Sequence, residues 1–431
     1  MWVTPGKPLR WRQRRLLTNT MVAVAGGLIS ATAVGIGAGV LYLGTLTSRT
    51  CQETRYPETE VHKGRTPGYF SSNYQQARDR FLEAAVAAGA NIEGFHNPNS
   101  GPQGESLVTD VALFGPKDAK IVLVVGSGTH GVEGFAGSGI QTGLLREGIA
   151  QRLPAGVSLL MIHAINPFGM AHLRRFNEDN VDLNRNFRDH SQSPPGSPEY
   201  EQLANVIAPR SLSFWSEVGS WSRLLWFRRT AGKVAAQRAV TDGQYSYPDG
   251  LFYGGTFDTW SNRTLKAIAD RYLSHAERVI VVDVHTGLGE YGDAEIILND
   301  PEDSPAYSRA VEIWGSEHVR STVTGGSVSV PLDASVKLAF VEMLPQSEVT
   351  AVSLEFGTRP GMDVFRAVRA ENWLHHHGGG DHAKAKNIKT CLLRAFHPDS
   401  DEWEASVWNQ GKEVVEQALA WSPSVSNRPS A

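Results

Sequence analysis

His130 and Glu133 stand three apart in VVGSGTHGVEGFAGSG, residues 124–139, and could hold a metal ion from one tight turn. Catalytic zinc commonly takes two histidines and one carboxylate and keeps a fourth position open. A second histidine at the end of a buried apolar run would complete that set, and His285 has such a place in VVDVHTGLG. Hydrolysis also needs a base for water. Glu355 follows the apolar run TAVSL, where a carboxylate is costly to bury without a partner or a task. A salt-bridged structural glutamate is the plain alternative. The attacked carbonyl needs positive charge where its oxyanion develops, and a substrate carboxylate needs a guanidinium fork. Arg174, Arg175, Asn184 and Arg185 fall together in RRFNEDNVDLNRNF, residues 174–187.

The same stretch holds Gly126, Gly128 and Gly131. A Gly-x-Gly-x-x-Gly between an apolar run and a helical segment is the outline of a dinucleotide-binding turn. Such a turn also calls for an acidic residue about 20 positions on, at the end of the next strand. Here that strand ends His-Ala-Ile-Asn. The glycines therefore read as positions that let the backbone turn sharply and aim His130 and Glu133 at one point.

Something must carry these residues to a common place. Strands are expected at 107–115, 119–127, 156–166, 278–285, 294–298 and 350–356, from apolar runs bounded by turn residues. Helices are expected at 71–90, from Glu133 to about Leu153, at 211–239, 363–377, 382–393 and 402–421. The alternation predicts an α/β three-layer sandwich around a central mixed, mostly parallel sheet. In such sheets the carboxyl ends of parallel strands share one crevice, which would gather His130, Glu133, His285 and Glu355.

The ordered series THGVEG, NPFGMAHLRRFNEDNVDLNRNF, VDVHTGLG and LEFGT resembles the zinc carboxypeptidase superfamily. That superfamily includes succinylglutamate desuccinylases and aspartoacylases, and the match is closest to a branch labelled only as a domain of unknown function. The resemblance implies zinc held by His130, Glu133 and His285, and Glu355 as general base. It further implies that Arg175 polarises the carbonyl and that Asn184 and Arg185 grip a substrate carboxylate. One departure stands out. Digestive carboxypeptidases have a mobile tyrosine shortly before the catalytic glutamate, and here no tyrosine lies between Tyr307 and Glu355. The three tyrosines of GQYSYPDGLFYGG, residues 243–255, are the available substitutes.

The chain has 431 residues and a net charge of −4. Six of its basic residues fall within residues 1–50, which contain no acid. The remainder is therefore markedly acidic and ill suited to nucleic acid. Leu16–Ser48 contains no charged residue. Residues 21–46 within it are long enough to span a bilayer, and the basic residues before them predict a cytoplasmic N-terminus with the body outside. A cleaved signal peptide is the alternative. The expected organisation is a basic segment 1–20, a transmembrane anchor 21–46, a linker 47–65, a zinc hydrolase domain 66–421 and a disordered tail 422–431. Cys51 and Cys391 are too few for a disulfide scaffold or a cysteine zinc site. HHHGGGDH (375–382) reads as a helix end stopped by glycines rather than a second metal site. The functional expectation is a membrane-anchored zinc hydrolase. It would cleave an amide bond beside a carboxylate, in a small peptide or an N-acyl amino acid. The alternative is a non-catalytic carboxylate-binding protein on the same fold.

Overall fold

A computed structural model describes residues 68–422. The proposed basic segment, anchor and linker, and all but the first residue of the tail, lie outside the described residues. Among the described residues no helix is long and apolar enough to cross a membrane. Those residues fall within one compact unit, Ser48–Ala431.

Eight strands form one sheet in the order β1-β2-β4-β3-β5-β8-β6-β7. They are β1 Asn91–Ser100, β2 Ser106–Phe114, β3 Ile121–Ser127, β4 Val157–His163, β5 Arg278–Tyr291, β6 Ala294–Leu298, β7 Val319–Ser321 and β8 Glu348–Gly357. The four central strands, β4-β3-β5-β8, run parallel. Antiparallel pairings flank them on both sides: β1 with β2, β2 with β4, and β6 with β8. The sheet is thus mixed and mostly parallel: four of its seven pairings are parallel, β6 with β7 at one edge among them, and the three antiparallel ones lie away from the centre. The short β2–β3 turn and the β5–β6 turn hide the antiparallel pairings in the sequence, because each joins strands that are not neighbours in the sheet.

The central strands are buried on both faces, as parallel strands must be when helices cover each side. Successive residues alternate between two cores. Leu123, Val125, Ile280, Val282 and Leu354 face one, and Val122, Val124, Val279, Val281 and Ala351 face the other. Helices Gly134–Arg146 and Asp401–Trp421 cover the first face, and helices Trp260–Leu273 and Val336–Met343 the second. This makes three layers. A smaller cluster joins helices Pro198–Ile207, Phe214–Ala231, Lys233–Thr241 and Gly361–His377 over the carboxyl ends of the central strands.

Some boundaries differ from expectation. The helix after Glu133 stops at Arg146, because Gly148 adopts φ 76° and a 3-10 turn, Ile149–Arg152, follows. The strand β1 was not foreseen. Its residues, NIEGFHNPNS, are mostly exposed on the sheet edge, where no apolar alternation is required. Cys391 is not free, and Cys51 lies outside the described residues.

Candidate active site

β3 ends at Ser127, and the chain turns through Gly128 at φ +73°, a conformation glycine adopts without strain. His130 leads into a single 3-10 turn, Gly131–Glu133, which returns Glu133 beside it. A Cβ on Gly131 would lie 2.0 Å from the carbonyl carbon of Gly169 and 2.2 Å from Met170 N. Two of the three glycines of the Gly-x-Gly-x-x-Gly thus serve backbone geometry at the turn that carries His130 and Glu133.

His285 was expected at a strand end, and the structure corrects this. β5 continues past it to Tyr291. It is β3 that ends, opposite Val284. His285 is therefore the first β5 residue beyond the edge of its neighbour, which opens space beside it. Asp283, two residues earlier, lies on the same side of the strand and reaches His285 Nε2 at 2.6 Å. On the other flank β8 places Glu355 opposite His285 in the ladder.

One ligand atom from each of His130, Glu133 and His285 falls within 4.8 Å of the others, and all three residues are buried. Among the described residues this is the group of three or more His, Cys, Asp or Glu side chains able to hold a metal. His375, His376, His377 and His382 form no such group. His130 Nδ1 lies 2.9 Å from Glu133 Oε1, and His285 Nδ1 lies 3.1 Å from Glu133 Oε2. The opposite ring nitrogens face aspartates, His130 Nε2 at 3.2 Å from Asp182 and His285 Nε2 at 2.6 Å from Asp283. Metal-binding histidines ordinarily present their second nitrogen to a carboxylate in this way. Thr129 Oγ1 donates to both oxygens of Asp283, at 2.9 and 3.0 Å.

The cluster fits zinc by its donor set: two imidazoles and one carboxylate, all buried, converge as the ligands of catalytic zinc commonly do. His130 Nδ1, although 2.9 Å from Glu133 Oε1, makes no hydrogen bond of acceptable geometry, as suits a nitrogen that shares a cation with that oxygen rather than a proton. Burial would raise the Glu133 carboxyl, but the charges of His130 and Arg175 beside it hold it well below the usual carboxylate range. Burial would likewise lower His285, but Asp283 and Glu133 hold it well above the ordinary imidazole value.

His130, Glu133, Arg175, Asn184, Arg185, His285 and Glu355 all line one cavity of about 230 Å³. Glu355 is 9% exposed and accepts a hydrogen bond from Leu288 N at 3.0 Å. Burial and the charge of Glu133 push its carboxyl up to about 7, against a downward pull from His285. Arg175 donates to Glu133 Oε1 at 2.8 Å and to Asp182 Oδ2 at 3.0 Å. Its Nη2 also sits 2.8 Å from His130 Nε2. Asp182 therefore orients Arg175 and His130 together, and it caps the 3-10 turn Leu183–Arg185 by accepting from Asn184 N. Arg185 gives its terminal nitrogens to the carbonyls of Asn184 and Thr241, at 3.1 and 2.5 Å. Its buried Nε has no partner.

Other sequence candidates lie elsewhere. Arg174 points away from the cavity, into a buried network with Glu371 at 2.9 Å and Asn180 at 2.7 Å. None of the three tyrosines at 243–255 lines the cavity; Tyr245 Oη is spent on the carbonyl of Arg185 at 2.8 Å. Sequence reasoning missed Asp182, Asp283 and Lys337. The two aspartates each stand two residues before a candidate residue, which is the signal that could have found them. Lys337 is buried in the cavity wall, and burial lowers its amine to about 8. Nothing in its local sequence announced it.

Residues 70–410 match the family described as protein of unknown function, DUF2817. The chain belongs to that family. The DUF2817 match spans every cavity residue named above. No curated protein sequence matches the chain significantly. Among solved structures, this DUF2817 protein is similar to carboxypeptidase A from Helicoverpa armigera. The identity is 11% and the TM-score 0.41, covering 85% of this chain and 82% of that one. It is also similar to succinylglutamate desuccinylase from Chromobacterium violaceum, at 15% identity and TM-score 0.33, covering 74% of each chain. An aspartoacylase family protein from Mesorhizobium loti is similar at 15% identity and TM-score 0.32, covering 68% of this chain and 69% of that one. At such values these likenesses say nothing of what this DUF2817 protein does.

Proposed function

We propose that this DUF2817 protein is a zinc-dependent hydrolase of an amide bond next to a carboxylate, acting on a peptide or an N-acyl amino acid. The observation that carries this reading is the convergence of His130, Glu133 and His285 in one buried cluster, on the same cavity as Glu355 and Arg175. Zinc held by those three residues would act as a Lewis acid on the carbonyl and lower the pKa of water. Glu355 takes a proton from the attacking water at a carboxylate oxygen and returns it to the leaving nitrogen. A carboxyl pushed up to about 7 suits both transfers near neutral pH. Arg175, held in place by Glu133 and Asp182, donates toward the oxygen on which negative charge develops. Arg185 Nε, buried and unpartnered, and Asn184 orient the substrate carboxylate.

The test is metal content together with a screen of N-acyl amino acids against short peptides. About one zinc per chain with hydrolysis of either class supports the reading. Full zinc occupancy with no hydrolysis of either would replace it with a carboxylate-binding protein.

We further propose that residues 21–46 anchor the protein in a membrane, with the N-terminus cytoplasmic and the hydrolase outside. The uncharged stretch Leu16–Ser48 behind a basic N-terminus supports this. Protein that pellets with membranes in alkaline carbonate and begins near Met1 is the expected result. An N-terminus beyond residue 45 would instead establish cleavage.

A further inference from the structure

A second hollow of about 380 Å³ adjoins the catalytic cavity. Helices Phe214–Ala231 and Lys233–Thr241 and the start of helix Gly361–His377 form its walls. Gln237, Val240, Thr241, Gly361 and Phe365 line both hollows, so the two share one wall. Thr241 ties that wall to the site, because its carbonyl holds Arg185 Nη2.

The cleft is built from one helix stripe. Trp221, Leu224, Leu225 and Arg228 recur at the spacing that puts side chains on a single helix face. Opposite them stand Met362 and Phe365. Leu225 is 67% exposed and Met362 47% exposed, so apolar groups on both sides lie open to solvent. Scattered exposed apolar residues need no explanation, but contiguous ones along a groove mark a binding surface. A peptide laid here would need partners for its backbone N–H and C=O groups. The walls offer few: Gln237, Thr241, Arg228 and Lys233 are the polar side chains among them. An alkyl chain needs none.

We infer that this cleft takes the acyl chain of the substrate, and that the protein hydrolyses long-chain N-acyl amino acids. This rests on the hydrolase reading and names its substrate class. In the reaction the amide C–N bond breaks, water oxygen bonds to the acyl carbon, and the leaving nitrogen gains a proton. The products are a fatty acid and a free amino acid.

The test uses the full-length, zinc-loaded protein with N-acetyl-, N-butanoyl-, N-octanoyl- and N-dodecanoylglycine. Turnover is measured on wild type, and binding by calorimetry on Glu355→Gln. Both kcat/KM and affinity are expected to rise about fourfold per added methylene until the cleft is filled. Leu225→Asp and Met362→Asp, both outside the catalytic machinery, should flatten that slope. N-acetylglycine turnover should stay at the wild-type level. Turnover that does not depend on chain length overturns the inference and leaves the hydrolase reading standing. A binding slope without turnover of any substrate overturns the hydrolase reading and the inference with it, and leaves a cleft that binds acyl chains. A slope that survives both aspartate variants places the chain elsewhere and overturns the inference, as does faster cleavage of a short peptide than of any N-acylglycine.

Discussion

His285 and Glu355 are register partners on the neighbouring parallel strands β5 and β8. Partners in a ladder present their side chains to the same face of the sheet. The candidate ligand and the candidate base are thus set relative to each other by backbone hydrogen bonds rather than by a loop. If Glu355 is the base, Glu355→Gln should lose ~10²–10⁴-fold in turnover and keep zinc near the wild-type level. Kinetics and metal analysis on one preparation decide it. Loss of zinc along with activity would make Glu355 a ligand.

The ligand assignment has a graded test. His130→Ala and His285→Ala each remove one of three protein ligands and should abolish stoichiometric zinc. Asp283→Asn removes only the carboxylate that faces His285 Nε2, so zinc should bind ~10–100-fold more weakly without being lost. Competition with a chelator measures this, and equal affinity in Asp283→Asn and wild type would show that the aspartate does not orient the ring.

Arg185→Lys keeps a charge but loses the planar donor set. Hydrolysis of substrates with a free carboxylate should fall, while their amidated counterparts should be turned over as by wild type. Equal losses on both would mean that Arg185 serves mainly to hold the carbonyls of Asn184 and Thr241.

The proposed base role requires Glu355 to be ionised. Its carboxyl stands at about 7, so kcat/KM should climb with unit slope through that pH and level off above it. Bound zinc adds positive charge nearby and can only move this limb toward lower pH. A limb well above pH 7 would point to another group.

His163 makes a prediction about stability. It is buried, stacked on Phe81 at 4.6 Å between centroids, and paired with Ser138 Oγ at 3.0 Å. Burial and the charge of Arg78 push its imidazole down to about 3. The folded protein therefore binds fewer protons than the unfolded chain between about 3 and 6.5. Stability from this residue is fully present above about 6.5 and is lost as pH falls, by up to ~1.4 kcal/mol per pH unit. His163→Gln should flatten the acid side of a denaturant-midpoint profile.

The candidate ligands and base were legible because each comes just after an apolar run: His130 after IVLVV, His285 after RVIVVDV and Glu355 after TAVSL. The central strands were legible for the same reason, since burial on both faces leaves near-continuous apolar runs. What stayed hidden was set by neighbours distant in sequence. The partnership of Asp182 with His130 spans 52 residues and that of Thr129 with Asp283 spans 154. Lys337 enters the cavity from a helix whose local sequence, VKLAFVEM, has no catalytic pattern. The polar edge strand β1 carries no periodicity to detect.

Gly131 presses against the backbone at Gly169 and Met170, and Gly131 N and Val132 N donate to the carbonyls of Arg175 and Arg174, at 3.2 and 2.8 Å. The turn that presents His130 and Glu133 is therefore bolted, main chain to main chain, onto the segment that presents Arg175. The candidate ligands and the guanidinium cannot be retuned one at a time. A methyl group added at residue 131 would displace both in a single stroke, and any reshaping of this pocket for a new substrate has to start from its outer walls.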